Sequence, residues 1–265
     1  MIVDRENKNV ALVLGSGGAR GLAHIGAIEA LEEHGYTITS IAGCSMGSII
    51  AGMYAAGQLK EAKEWFLQVD KQLILRMMDI NLLSGNSLVK GQRIIEELEK
   101  VVPDRPIEEL NIPCTIIATD MSTSEEVVFR TGSLFQAVRA SISIPLFFEP
   151  VRMDHRVLTD GGIVSPLPLH AVERQKGDLL AAMDISGKDS KPMERARFVG
   201  ILDRMNDIQI QQNTLLECRL TPPDIHAVMR QYAYNTFDFD RAEEIIAEGK
   251  RLMSEAIFKY ERAHA

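Results

Sequence analysis

The sequence contains few cysteines, and they do not form a metal-binding pattern. Cys44, Cys114 and Cys218 make an odd total of 3, and none has a second cysteine or histidine at metal-ligand spacing. A disulfide framework or a zinc site is therefore not expected, and a reducing compartment is favoured.

A basic excess is also absent. The chain has 29 Lys and Arg against 37 Asp and Glu, and its net charge is −8. A nucleic-acid-binding protein would carry a basic face, and attraction to anionic lipid would need a polybasic patch. Nucleic acid is therefore not an expected partner.

Long apolar runs are missing as well. No stretch approaches the length of a membrane-spanning helix, and the N-terminal residues MIVDRENKNV are charged where a signal peptide would be apolar. We therefore expect a cytoplasmic protein whose contact with membranes is at most peripheral and transient. With 265 residues, of which 46% are hydrophobic, the chain has the size and composition of one large globular domain.

The N-terminal part alternates between strand and helix patterns. NVALVL (9–14) predicts a buried strand, GSGGARG (15–21) a turn, and LAHIGAIEALEEHG (22–35) a helix. TITSIAG (37–43) predicts a second strand, and MGSIIAGMYAAG (46–57) a second helix. This alternation predicts an α/β fold with a mainly parallel central sheet.

The middle of the chain is less regular. EAKEWFLQV (61–69) and GQRIIEELEKVV (91–102) have helical patterns, and the apolar, methionine-bearing stretch between them is interrupted by Asn, Ser and Gly. That stretch is either an ordinary connection with buried Leu and Met or, over residues 73–83, a mobile lid above an apolar substrate pocket.

Further elements follow in the second half. IPCTIIATD (112–120) predicts a buried strand with EEVVFRTG as its neighbour, SLFQAVRAS a helix, PVRMDHRVLTDGG (150–162) a hairpin around a polar turn, and residues 178–186 a late strand. Within a single domain, we expect an α/β core over about 8–186 and a helical C-terminal part over about 192–265. In that part, Asp240 and Glu243 predict a capping box at the start of the last helix.

One serine lies between two glycines at the second strand-to-helix junction. Gly43, Ser45 and Gly47 form G-x-S-x-G. Such a turn can expose a nucleophilic hydroxyl, because the flanking glycines lack the β-carbons that would clash there. The alternative is a tight turn in which Ser45 is only the helix N-cap. The residues alone favour neither interpretation.

An aspartate with two glycines follows the predicted hairpin. In VLTDGG, Asp160 ends a strand and Gly161 and Gly162 follow it, so its carboxylate could approach the serine hydroxyl closely. Because Asp-Gly is common in turns, these residues by themselves favour a simple turn.

The loop GSGGARG matches neither common nucleotide-binding pattern. Gly15 and Gly17 fit the start of G-x-G-x-x-G, but Arg20 replaces the third glycine, and the Gly-Lys-Ser/Thr of a P-loop is absent. Its backbone N–H groups at a helix N-terminus could form an anion site or an oxyanion hole, with Arg20 fixing the loop or adding charge. The alternative is a plain glycine-rich turn.

No histidine stands out as the base that a serine nucleophile usually needs. The histidines are His24, His34, His155, His170, His226 and His264. His24 and His34 belong to the first predicted helix, His155 to the hairpin turn, and His226 to the predicted helical tail. A Ser-His-Asp esterase or thioesterase nevertheless remains open, with His155 or His170 as its base.

Taken together, the motifs resemble those of the patatin-like phospholipase family. The resemblance rests on GSGGARGLAHIGAIEALEEHG, IAGCSMGSIIAGMYAAG, AVRASISIPLFFEPV and LTDGGIVSPLPL, and it covers roughly residues 10–57 and 112–185. It implies a three-layer α/β/α sandwich. One departure is Ser16, which stands where the family loop usually has its first glycine.

The resemblance also implies a mechanism. Ser45 would be the nucleophile, Asp160 the base, and Gly17, Gly18 and Arg20 the oxyanion loop, supported by Gly15, Gly21, Gly43, Gly47, Gly161 and Gly162. The substrate would be a phospholipid or a related acyl lipid, and neither metal nor cofactor would be needed. Acyl transfer to another alcohol and a non-catalytic anion-binding module remain alternatives to hydrolysis.

Overall fold

A computed structural model describes residues 8–69, 73, 91–145, 147–190 and 198–265, which form one eight-stranded sheet flanked by helices. The strands are β1 (Asn9–Leu14), β2 (Thr37–Cys44), β3 (Cys114–Asp120), β4 (Glu125–Phe129), β5 (Val151–Met153), β6 (Arg156–Asp160), β7 (Leu179–Gly187) and β8 (Ile225–Arg230). The α-helices are α1 (Ala23–Glu33), α2 (Met46–Ala55), α3 (Leu59–Leu67), α4 (Gln92–Glu99), α5 (Leu134–Ser141), α6 (Phe198–Leu220) and α7 (Ala242–His264).

The sheet is parallel at its centre and antiparallel at one side. Its strand order is β5-β6-β3-β2-β1-β7-β8, and β4 pairs with β3 outside this path. The pairs β2–β3, β1–β2, β1–β7 and β7–β8 are parallel, whereas β4 and β6 both run antiparallel to β3. The predicted α/β fold with a mainly parallel sheet is therefore confirmed.

Strand β1 shows why the centre of the sheet is apolar on both faces. Val10, Leu12 and Leu14 join one hydrophobic cluster, and Ala11 and Val13 join another. Because successive side chains of a strand point to opposite faces, both faces must be covered. Helices α1, α2 and α7 pack on the first face, and α6 with the segment 167–172 lies on the second. The protein is thus a three-layer α/β/α sandwich.

The C-terminal part departs from expectation at two places. It was predicted to be helical over about 192–265, but β8 lies within it and pairs with β7, so this prediction was wrong at 225–230. Alternate side chains of β8 are buried, which is the pattern of a strand with one covered face. The last helix begins at Ala242 without a side-chain cap, because Asp240 lies in a preceding 3-10 turn, Phe239–Arg241. The Asp240 capping box was therefore wrong.

Other predicted elements are present. Strands β5 and β6 form the expected hairpin, and its turn residues Asp154 and His155 have φ values of 47° and 68°. Apart from Leu73, the suggested lid at 73–83 lies outside the described residues. Among the helices that the structure describes, none is both long and apolar enough to cross a bilayer.

Candidate active site

The site forms where two strands meet end to end along the same edge of β3. Strand β4 pairs with Ile116–Asp120 of β3, a range that overlaps both the residues paired with β2 and those paired with β6. Because one edge of a strand can pair with only one neighbour at a given residue, β2 and β6 must both lie along the other edge of β3. Cys44, the last residue of β2, is paired with Ile117, and Asp160, the last residue of β6, is paired with Ala118. Since β2 runs parallel and β6 antiparallel to β3, their carboxyl ends face each other.

Ser45 occupies a strained turn at this junction. Its φ is 54° and its ψ is −124°, a conformation that is uncommon for a residue other than glycine. A β-carbon at Gly43 would overlap the carbonyl of Gly47, and one at Gly47 would overlap the carbonyl of Leu14. Both glycines are therefore needed for β2, α2 and β1 to approach this closely.

The hydroxyl of Ser45 is directed away from the helix. Ser45 is the N-cap residue of α2, but its side chain makes no cap hydrogen bond. Its Oγ donates instead to Asp160 Oδ2 at 2.5 Å. The structure thus brings together a serine and an aspartate that are 115 residues apart in the sequence.

Asp160 is held in a nearly dry environment, since only 4% of its surface is exposed. Its Oδ1 accepts a hydrogen bond from Gly162 N at 2.7 Å and lies 3.9 Å from Cys44 Sγ. Burial disfavours the charged carboxylate and raises its pKa to about 6, although the bonds from Ser45, Gly162 N and Cys44 act in the opposite direction. A carboxylate with this pKa is suited to exchange protons near neutral pH.

The glycine-rich loop lies beside Ser45, with two amides directed to no protein acceptor. Ser16 N donates to Pro166 O at 2.8 Å and Ala19 N to Thr236 O at 2.9 Å. Gly17 and Gly18 lie between these two residues, and in the part of the chain that the structure describes their N–H groups have no hydrogen-bond acceptor. Gly18 has a φ of 58°, and its backbone lines a cavity together with Ser45.

Arg20 anchors this loop. Its guanidinium is buried and donates from Nε to Ile185 O at 3.0 Å and from Nη1 to Tyr234 O at 2.9 Å. Burial lowers the pKa of Arg20 from its usual value. These two bonds tie the loop to the end of β7 and to the segment after β8.

The remaining glycines of the motifs lie around the same centre. Gly15 N donates to Met183 O at 3.1 Å, and Gly21 lies in the 3-10 turn Gly18–Leu22 that leads into α1. Gly161 and Gly162 form the 3-10 turn that follows β6. All three sequence motifs thus converge where β1, β2 and β6 have their carboxyl ends.

Two further residues contact the site, and neither was assigned to it from the sequence. Ser141, the last residue of α5, accepts a hydrogen bond from Ser45 N at 2.8 Å. His24 in α1 lies 2.8 Å from Gly15 O through Nε2, and burial lowers its pKa to about 4. Ser141 lies in the quoted stretch AVRASISIPLFFEPV, but no local pattern indicates its partner.

The histidines at 155, 170 and 226 lie away from Ser45. His170 lies between Glu126 and Glu217, each 3.1 Å away, and these bonds raise its pKa to about 10. His155 is in the β5–β6 turn, and His226, on β8, lies 3.8 Å from Asp184. Within the described ranges, no histidine lines either cavity that contains Ser45.

Ser45 separates an apolar cavity from a second cavity whose walls carry both apolar and polar groups, which we call the polar cavity. The apolar cavity has about 720 Å³ of empty space, a volume that includes open solvent at its mouth. Its apolar lining residues are Met46, Ile49, Trp65, Phe66, Val69, Ile94, Leu98, Ile142, Ile144, Phe148, Phe237 and Phe239. The polar cavity, of about 1190 Å³ by the same measure, contains Asp160, Gly17 and Arg20 and is bounded by α6. An ester at Ser45 could therefore extend an apolar group to one side and a polar group to the other.

No metal-binding group is evident in the described part of the chain. There, no cluster of three or more His, Cys, Asp or Glu side chains is arranged to hold a metal ion.

Similar proteins were found by sequence and by structure. An uncharacterized NTE family protein of Mycobacterium tuberculosis is 42% identical over 187 residues, which cover 71% of this chain and 52% of that protein. The human patatin-like phospholipase domain-containing protein 6 is 33% identical over 187 residues, covering 68% of this chain and 14% of the human protein. This chain therefore matches only about half of the mycobacterial protein and a small part of the human one.

The crystal structure of VipD from Legionella pneumophila has a similar fold. Its TM-score is 0.52 at 15% sequence identity, over 96% of this chain and 67% of VipD. At that identity the similarity concerns the fold alone. A family model described as patatin-like phospholipase matches residues 12–172, which include Ser45, Asp160 and the glycine-rich loop. The chain belongs to the patatin-like phospholipase family.

Proposed function

We propose that the protein is a serine hydrolase that cleaves carboxylic esters of phospholipids or related acyl lipids, with Ser45 as nucleophile and Asp160 as base. The observation that carries this proposal is the 2.5 Å hydrogen bond from Ser45 Oγ to Asp160 Oδ2. Membership of a phospholipase family and an apolar cavity at Ser45 support lipid esters as the substrate class.

In the first step, Ser45 Oγ attacks the ester carbonyl carbon and Asp160 accepts the hydroxyl proton. Negative charge develops on the carbonyl oxygen, and the unpaired amides of Gly17 and Gly18 are suited to donate hydrogen bonds to it. As the tetrahedral intermediate collapses, the bond to the alcohol breaks and Asp160 returns the proton to the leaving oxygen. Ser45 then carries the acyl group.

In the second step, water replaces the alcohol. Asp160 removes a proton from the water, whose oxygen attacks the acyl carbonyl, and the proton then passes to Ser45 Oγ as the carboxylic acid leaves. The pKa of about 6 allows Asp160 to be ionised at neutral pH and still hold a proton within each step. The scheme requires no group beyond this chain and water.

The two cavities divide the substrate between them. The apolar cavity accommodates the acyl chain, because it is lined by aliphatic and aromatic side chains such as Ile49, Trp65 and Phe148. The polar cavity accommodates the alcohol part, which carries the ester oxygen and a headgroup. This division explains why Ser45 and Gly18 line both cavities.

Labelling with a fluorophosphonate, followed by mass spectrometry of the peptides, tests the nucleophile. We expect a single adduct at Ser45, no adduct in Ser45→Ala, and a slowed reaction in Asp160→Asn. Matched controls are Ser40→Ala, a buried serine in the strand β2 that leads to Ser45, and Asp120→Asn, another buried aspartate at the end of β3. Both controls should keep full labelling.

Hydrolysis of a soluble short-chain ester tests the base. Asp160→Asn should lower kcat/KM by about 10²–10⁴-fold, the usual contribution of a general base. A folded wild-type protein that is neither labelled nor active would refute the proposal. Loss of activity in His170→Ala, with labelling dependent on that residue, would instead indicate a Ser-His-Asp enzyme.

A further inference from the structure

Cys44 directly precedes Ser45, and its side chain is fully buried beside the base. It packs with Ile117 and Ala171 at the end of β2. Its Sγ lies 3.9 Å from Asp160 Oδ1, a distance over which a thiol can donate a weak hydrogen bond. Oδ2 of the same carboxyl accepts the bond from Ser45 Oγ. Two consecutive residues of the strand-to-helix turn therefore contact the two oxygens of Asp160.

The Cys44 thiol is a hydrogen-bond donor in this environment. Burial, and then the negative charge of Asp160, raises the pKa of Cys44 well above its usual value, so the side chain keeps its proton at neutral pH. An ionised carboxylate can only accept hydrogen bonds. The S–H group therefore donates to Asp160 Oδ1, which also accepts from Gly162 N at 2.7 Å.

The two glycines after Asp160 leave the space that this contact needs. A β-carbon at Gly161 would lie 2.9 Å from Cys44 Sγ, and one at Gly162 would lie 2.8 Å from Ser16 Oγ. The Ser16 hydroxyl is itself hydrogen-bonded to the Cys44 thiol. Ser16 directly precedes the amides that we assign to the oxyanion, so the thiol contacts both the base and the glycine-rich loop.

We propose that Cys44 is a positioning residue for the base, whose thiol bond to Asp160 Oδ1 keeps Oδ2 directed at Ser45. This inference rests on the proposed function, because it takes Asp160 as the base. A hydrogen bond to the charged form of a carboxyl also favours that form, so the thiol lowers the pKa of Asp160 and offsets part of the effect of burial. Without the thiol, Asp160 should need a higher pH to ionise.

Other charged groups near Asp160 and Cys44 stay in place when the thiol is removed. They are Arg20, Asp203 and Asp207, which line the polar cavity with Asp160, and Glu126 on β4, whose charge acts on Cys44. A change in the ionisation of Asp160 on substitution of Cys44 therefore reports the thiol contact.

The pH dependence of Cys44→Ala tests the proposal. For a soluble short-chain ester, the midpoint of kcat/KM on the acid side should rise by about 0.5–1 pH unit, the effect of losing one weak hydrogen bond to a charged group. The variant should thus lose about 3- to 10-fold more activity at pH 5 than at pH 8. The matched control is Cys114→Ala, which removes another buried thiol at the start of β3 and should keep the wild-type midpoint. A thiol that only fills space would lower stability and leave the midpoint unchanged, and that result would refute the proposal.

Infrared spectroscopy of the S–H stretching band tests the contact without any measurement of activity. The double variant Cys114→Ala/Cys218→Ala keeps Cys44 as the only cysteine of the chain. We expect its S–H band to move to lower frequency as the pH rises through the ionisation of Asp160, because a carboxylate is a stronger acceptor than a carboxylic acid. Addition of Asp160→Asn to the double variant should abolish this movement.

The two measurements separate the failure of this inference from the failure of the proposed function. An S–H band that does not move with pH would refute the role of Cys44, even in a protein that hydrolyses esters through Ser45. A wild-type protein that hydrolyses no ester would refute the function instead, and a band that moves with pH would then still establish the bond from Cys44 to Asp160.

Discussion

The raised pKa of Asp160 leads us to expect opposite effects of pH on activity and on stability. Its pKa rises from the usual 3.8 to about 6 on folding because the carboxyl is buried. Only the ionised form can accept the Ser45 proton, so kcat/KM should fall about tenfold for each pH unit below 6. With an unperturbed pKa, the rate would stay nearly constant down to pH 5. Between pH 7 and pH 5 the rate should therefore fall about tenfold with a pKa of about 6 and stay nearly constant with an unperturbed pKa.

Stability should change in the other direction. Between pH 3.8 and about 6 the native state holds more protons than the unfolded state, so the free energy of unfolding falls as pH rises through this window. Above it, the penalty of keeping a buried carboxylate is complete. One unit of pKa corresponds to about 1.4 kcal/mol, so the full penalty is about 3 kcal/mol. Asp160→Asn removes this charge and should raise the free energy of unfolding at pH 7 by about 1–3 kcal/mol.

Two measurements check this reasoning. Values of kcat/KM for a soluble ester, taken from pH 5 to pH 8, should give a single ionisation near pH 6 in the wild type. Urea unfolding at pH 7 and at pH 4.5 should show a stabilised Asp160→Asn variant at pH 7, with a much smaller difference at pH 4.5. Asp120→Asn serves as the control at both values. A pH-independent rate down to pH 5, or an Asp160→Asn variant less stable than the wild type at pH 7, would refute the assignment of Asp160 as a buried base.

Three substitutions test other parts of the site. Gly18→Ala should lower kcat by about 10²–10³-fold. The φ of 58° at this position suits glycine, and the new β-carbon would lie 2.7 Å from Thr236. The resulting shift would displace the Gly18 amide that we assign to the oxyanion. Circular dichroism must remain unchanged for that result to count. Ser141→Ala removes the acceptor of Ser45 N and should lower kcat about tenfold or more with little change in KM. An unchanged kcat would show that the Ser141 hydroxyl does not help to position Ser45. Ile49→Trp fills the apolar cavity and should reduce activity on long-chain esters relative to short-chain esters. Equal loss on both would contradict the assignment of the acyl chain to that cavity.

Local patterns were enough to predict much of the fold. The apolar run of β1, the glycine-rich turn and the periodic apolar residues of α1 are short-range signals, and the structure confirms the β1-α1-β2-α2 alternation. Strand β8 was missed because its segment IHAVMR is short and lies between two long helices. Its identity as a strand depends on parallel pairing with β7, which no local pattern contains.

The sequence indicated Ser45 and Asp160 as separate candidates. The residues adjacent to each in the sequence did not predict that the two side chains would be in contact. From the sequence, Ser45 could equally have served only as the N-cap of α2, and Asp160 only as a turn residue. The distinction arises from the pairing of β2 and β6 with one edge of β3, across more than a hundred residues of sequence. Ser141 has no motif of its own, since its role depends on where α5 packs.

Because β2 and β6 meet end to end along β3, their pairing registers with β3 fix the distance between Ser45 and Asp160. A slip of one residue in either pairing would move one group by about 3.3 Å and turn its side chain to the other face of the sheet. During refolding, ester-cleaving activity should therefore return only after both pairings with β3 have formed, later than the secondary structure of α1 or α7. By contrast, the connections between these strands can change in length without altering the distance between Ser45 and Asp160. Insertions there offer a route by which such a protein could acquire new substrates while its reaction stays the same.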